Sequence, residues 1–145
     1  MTQAIEILMV EDNPADVELT KEAFNEGKLN NVLNVVSDGE EALNYLHKRG
    51  RFTDAKTPDI VLLDLNLPKV NGKEVLAEMK GSKDLSYIPV IILSSSEDTA
   101  DIKAAYALNA NSFVTKPVAI DDFLEVIKSI EHFWVEIVKL PNKES

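Results

Sequence analysis

The sequence predicts an α/β fold: five βα units whose strands form one doubly wound, five-stranded parallel sheet with helices on both faces. Three observations point there. Short apolar runs such as Ile60–Leu63 recur along the chain, at the length of buried strands, roughly four to eight residues. Longer stretches of helical period, such as 14–27, lie between them. Carboxylates, a serine and a lysine fall at the ends of the apolar runs, where an open parallel sheet keeps its ligand site.

Taken in order, "IEILMV" (5–10) reads as the first strand. The segment 14–27 is a helix with Val17, Leu19, Ala23 and Phe24 as its apolar residues, Pro14 in its first turn and Gly27 at its stop. "VLNVVS" (32–37) is the second strand. Residues 38–50 form a helix with Asp38 as N-cap and Gly50 past its end. A loop over 51–58 leads into the third strand, 59–65, and a turn at Leu67–Pro68 leads to a helix over 72–82. The fourth strand is 88–95, followed by a helix over 97–111, and the fifth is 112–116. A last helix, 119–140, stops before Pro141. Near-continuous apolar strands separated by helices require a parallel sheet covered on both faces. Met9 and Met79 are expected in the core, and His47 and His132 on helix surfaces.

The chain has 145 residues, 45% of them hydrophobic, with no repeat or Gly/Ser linker, so it is expected to form one domain over 1–145. Its net charge of −10 opposes direct nucleic-acid binding. It contains no cysteine, which excludes disulfides and thiolate metal sites. The N-terminus lacks a basic n-region, and no apolar run reaches the ~18 residues of a membrane span. A cytoplasmic protein with no membrane association is expected.

Glu11, Asp12, Asp64, Ser94 and Lys116 come from strands one, three, four and five and meet at one sheet edge. Clustered carboxylates repel one another and stay ionised only near positive charge. An all-oxygen donor set suits a hard divalent cation, and Mg²⁺ takes one or two carboxylates together with waters and a phosphate. Asp12 and Asp64 would bind it directly, Glu11 directly or through water, and Asn66 through its backbone carbonyl. Lys116 adds a second positive charge, and a cis bond at Pro117 would aim it into the site. Ser94 offers a hydroxyl donor. Together these groups would hold a phosphoryl group on Asp64, whose carboxylate can act as the nucleophile.

This set, Glu11–Asp12, Asp64, Ser94 and Lys116–Pro117, resembles in order and spacing the receiver domain of two-component response regulators, over residues 5 to about 130. The resemblance implies a flavodoxin-like receiver fold and an aspartate, here Asp64, that takes phosphate from a histidine kinase with Mg²⁺ bound. It also implies that Ser94 and Phe113 form a conformational switch. Receivers often carry Thr and Tyr at those two positions, and Phe113 removes any role for a hydroxyl there. The stretches "HKRGRF", "LLDLNLPKVNGKEVL" and "FWVEIVKLP" are similar to small single-domain response regulators that partner bacterial phytochromes, notably in cyanobacteria. A phytochrome-type kinase is the partner this implies.

The last helix is apolar around much of its circumference, and ~20 residues span ~30 Å, longer than a strand of ~17–20 Å. An overhang over 131–145, carrying Phe133 and Trp134, is expected to be the interface of a homodimer. With no output domain expected beyond Ser145, the signal would leave through protein contact. Three other readings compete. An aspartyl-nucleophile phosphatase needs a second acid two residues after the nucleophile, where Asn66 stands. A flavin-binding protein needs an anion-accepting loop after strand one, where two acids stand. A degenerate receiver acting as a phosphorylation-independent binding module would have lost site groups that are all present here. The chain is therefore expected to be a phosphoacceptor in signalling and not an enzyme with a separate substrate.

Overall fold

The computed structural model describes residues 4–26, 31–95 and 99–116, with Asp121, Glu125, Lys128 and Ser129. Five βα-type strands form one sheet in the order β2-β1-β3-β4-β5. They are β1 (Ile5–Val10), β2 (Asn31–Val36), β3 (Ile60–Leu63), β4 (Val90–Ser94) and β5 (Ser112–Thr115). All four pairings are parallel. The intervening helices are α1 (Pro14–Glu26), α2 (Gly39–Leu46), α3 (Gly72–Gly81) and α4 (Thr99–Ala107).

The central strands are buried on both faces, and their side chains divide between two cores at the two-residue period of a strand. Leu8, Val10, Val61, Leu63, Val90 and Ile92 join α2, α3 and α4 in one core. Ile7, Met9, Ile60, Leu62, Ile91 and Leu93 face Ala23 and Phe24 of α1 in the other. Met79 is fully buried, as Met9 nearly is, so both methionines fill the core as expected.

The sheet order reverses at β1: β2 lies on one side of it and β3 on the other. That is the topological switch point, where the crevice beyond the strand ends is widest. The β3–α3 loop is held close to it. Gly72 donates its N–H to the Leu65 carbonyl at 2.9 Å, and a Cβ there would stand 2.2 Å from the Asp64 carbonyl oxygen. Only glycine allows α3 to begin so near the end of β3.

Three expectations change. Helix α2 ends at Leu46 instead of running to 50, because Lys48 takes the left-handed conformation (φ 57°). The Lys48 N–H then bonds the Tyr45 carbonyl (3.1 Å) and the Arg49 N–H the Asn44 carbonyl (2.8 Å), a Schellman closure that stops the helix early. Gly50 begins a short 3₁₀ turn, Gly50–Phe52, that runs into the loop expected over 51–58. His47 is the C-cap of α2 and half-buried, with Nε2 3.9 Å from Glu78, so it is not a plain surface residue. Of the expected last helix, Asp121, Glu125, Lys128 and Ser129 are helical and exposed. Pro117, His132, Phe133, Trp134 and the 131–145 overhang lie outside the described residues.

Candidate functional site

Glu11, Asp64 and Lys116 are each the first residue beyond a strand, and the backbone of each still bonds the neighbouring strand. The Glu11 N–H donates to the Val36 carbonyl at 3.0 Å, that of Asp64 to Val10 at 3.1 Å, and that of Lys116 to Ser94 at 2.7 Å. The strand register thus delivers these side chains to one edge. Glu11 and Asp64 are buried, at 2% and 7% exposure, while Asp12 is exposed. Carboxylate oxygens of Glu11, Asp12 and Asp64 all lie within 4.8 Å of one another.

Lys116 reaches over this trio. Its Nζ donates to Glu11 Oε1, to Asp16 Oδ2 at 2.9 Å and to Asp64 Oδ2 at 3.2 Å. The other Asp64 oxygen, Oδ1, accepts the Asn66 N–H at 3.0 Å. Burial pushes the Glu11 carboxyl up to about 7; the Asp64 charge adds to the rise, and the Lys116 ammonium opposes it. Burial works against charge on Lys116 too, but its hydrogen bonds to Glu11 and Asp16 and the charges of Glu11 and Asp64 outweigh it and raise its pKa. A buried acid whose pKa is raised by burial, beside a second carboxylate, marks a place where more positive charge would be stabilising. The donors are oxygens alone, and they fit a hard divalent cation.

These groups line a cavity of about 380 Å³, with Asp12, Asn66 and Lys116 on its walls. A neighbouring cavity of about 470 Å³ shares Asp12 and Asn66 and extends to Lys73, which pairs with Asp101 at 2.7 Å and so ties α3 to α4. Glu11, Asp12, Asp64, Asn66 and Lys116 of the expected site line this edge, whereas Ser94 and Phe113 lie within β4 and β5. Ser94 is fully buried at the end of β4, and its neighbour Ser95 lines the cavity instead. Phe113 is half-buried and packs against the core beneath α2, α3 and α4. Its N–H donates to the Tyr106 hydroxyl of α4 at 3.1 Å.

Sequence reasoning missed Asp16 and Ser95. Asp16 follows Asp12 by four residues and lies in the first turn of α1, where it reaches the Lys116 ammonium. An acid in a first helical turn is ordinarily explained by the helix dipole, and that explanation hides the spacing. Ser95 stood in the serine triplet 94–96 with nothing to separate it from Ser94.

An acidic, lysine-capped pocket at the switch point of a five-stranded parallel sheet defines a phosphoacceptor module, and this chain belongs to the response regulator receiver domain family, whose model matches residues 7–128. It is 40% identical over 135 residues to response regulator Rcp1 of Synechocystis, covering 93% of this chain and 92% of that protein. Among solved structures, it is similar to the Mn²⁺-bound form of Rcp1, with a TM-score of 0.92 at 39% identity over 94% of this chain and 99% of that one. It is also similar to the phosphorylated cyanobacterial phytochrome response regulator RcpA, with a TM-score of 0.94 at 41% identity over 97% of this chain and 100% of that one.

Proposed function

We propose that Asp64 accepts a phosphoryl group from the phosphohistidine of a sensor kinase, and that the chain 1–145 works as a single-domain response regulator. The observation that carries this is the position of Asp64: a buried carboxylate with Oδ1 held by the Asn66 N–H and Oδ2 under the Lys116 ammonium. An Asp64 oxygen attacks phosphorus, the P–N bond breaks, and the kinase imidazole leaves. Lys116 neutralises the phosphoryl oxygens as the bond forms, and the buried setting strengthens that interaction.

Mg²⁺ is the proposed cofactor. Asp12, Asp64, Glu11 and the Asn66 carbonyl would hold it, and it would neutralise phosphoryl charge. The acidic trio and the Mn²⁺-bound form of Rcp1 support this. The kinase is proposed to be of phytochrome type, on the similarity to RcpA. Asn66, where a phosphatase would carry its second acid, supports a phosphoacceptor that turns over no separate substrate.

On phosphorylation Ser94 would turn to the phosphoryl group and Phe113 would move inward behind it, a population shift across α4 and β5. A cis bond at Pro117 would aim Lys116, and a homodimer through the final helix at Phe133 and Trp134 would carry the output, in the cytoplasm and without nucleic acid or membrane. No described helix is long and apolar enough to cross a membrane.

Intact mass after incubation with Mg²⁺ and acetyl phosphate tests the central claim. Wild type gains one phosphate; EDTA or Asp64→Asn abolishes the gain. No gain by wild type from acetyl phosphate or from a phosphorylated kinase would leave the binding-module reading in its place.

A further inference from the structure

We propose that Asp16 is a positioning residue for phosphotransfer, anchoring the Lys116 ammonium over Asp64; this rests on the reading of Asp64 as the phosphoacceptor. An ammonium has three donors, and three carboxylates accept from this one: Glu11, Asp16 and Asp64. Two of them have other work. Asp64 gives up its carboxylate charge when it becomes an acyl phosphate, and Glu11 belongs to the acidic trio. Asp16 stands outside that trio and forms no bond to the phosphoryl group, and its Oδ2 lies 2.9 Å from Nζ.

Asp16 is itself fixed. Asn13 Oδ1 caps the first turn of α1, accepting from the Ala15 N–H at 2.9 Å and from the Asp16 N–H at 3.4 Å. The hydroxyl of fully buried Thr20 donates to the Asp16 carbonyl at 2.7 Å. The Asn13 N–H donates to Glu11 Oε2 at 3.3 Å, and Glu11 Oε1 accepts from Lys116. A closed ring runs Glu11–Asn13–Asp16–Lys116–Glu11. It ties the end of β1, the start of α1 and the end of β5 around one ammonium. Lysine carries its charge on a flexible four-carbon stem, so an anchor on a rigid helix turn sets where that charge sits.

Two roles predict different kinetics. Phosphoryl gain and phosphoryl loss at Asp64 both pass through a transition state with charge on the phosphoryl oxygens and the Asp64 oxygen. A residue that positions Lys116 on that state changes both rates in the same direction. A residue that merely adds negative charge near the cavity mouth hinders entry of an anionic donor, and its removal speeds gain alone.

The test uses full-length wild type, Asp16→Ala and Asp16→Asn with Mg²⁺ and acetyl phosphate. Mass gain is followed first, then mass loss after donor removal. In parallel, the ¹⁵N-lysine NMR signal of the Lys116 ammonium is recorded without metal or donor. Asp16→Ala is expected to slow both steps by a similar factor, about three- to tenfold, the effect of losing one partly solvated charge-assisted hydrogen bond. It is also expected to broaden the ammonium signal. Asp16→Asn keeps a neutral acceptor and should fall between; it also replaces Asp16→Ala if that variant fails to fold. Faster gain with unchanged loss, or no change in either rate, overturns the proposal. If wild type gains no phosphate, the function proposed above has failed, and the ammonium signal decides alone: broadening supports the anchor, and no change overturns it.

Discussion

At the scale of single residues, Glu11 carries the clearest consequence. Its carboxyl is raised from an ordinary 4.5 to about 7 in the folded protein. The folded state therefore binds this proton more tightly than the unfolded chain does. The stabilisation is complete below about 4.5 and is lost as pH rises toward about 7. Metal-free wild type should lose thermal stability over that window relative to Glu11→Gln, which keeps an acceptor for Lys116 and removes the titration. Melting curves in EDTA across the window check this, and parallel curves for the two proteins would contradict it. Glu11, Asp12, Asp64 and Lys116 were legible in the sequence because each follows an apolar run, so strand ends and site coincide. Asp16 was not, because its role depends on a lysine a hundred residues away in sequence that only the β4–β5 register brings overhead.

At the scale of elements, the strands and the ends of α1 and α3 were legible, and the C-terminal ends of α2 and α4 were not. The central strands β1, β3 and β4 follow from continuous apolar runs buried on both faces, a pattern that local sequence holds. Helix α2 shows the other case: Gly50 invited a stop at the wrong place, because the left-handed closing position is taken by Lys48. A lysine there is strained where glycine is not. Lys48→Gly should therefore stabilise the protein by about 0.5–1 kcal/mol, the left-handed strain less the entropy that glycine adds to the unfolded chain. The shift in urea midpoint at constant slope measures it; a lower midpoint would mean that the Lys48 side chain matters more than its backbone angle. By the same comparison α4 needs no such change, since Asn109, at φ 66°, already occupies its closing position and asparagine tolerates that conformation.

At the scale of the whole molecule, the sheet order decides that the site exists at all. β1 and β3 are neighbours in the sheet although β2 intervenes in sequence. Glu11 and Asp12 therefore meet Asp64 only when the non-local β1–β3 pairing has formed. A cation that needs all three acids binds the folded state and finds no equivalent in the unfolded chain, so binding adds directly to stability. The gain should be about 2.7 kcal/mol at a metal concentration a hundred times the dissociation constant. The net charge of −10 and the three acids held together at the sheet edge act through that constant: the metal relieves repulsion that the fold enforces, which lowers the concentration at which the gain is reached. Mg²⁺ is thus expected to raise the melting temperature of wild type and EDTA to reverse it. Asp12→Asn should abolish most of the rise while leaving the metal-free protein at least as stable as wild type, because the exposed Asp12 supports none of the core packing. Equal rises in both proteins would place the cation elsewhere on the acidic surface and separate metal binding from the phosphoacceptor edge.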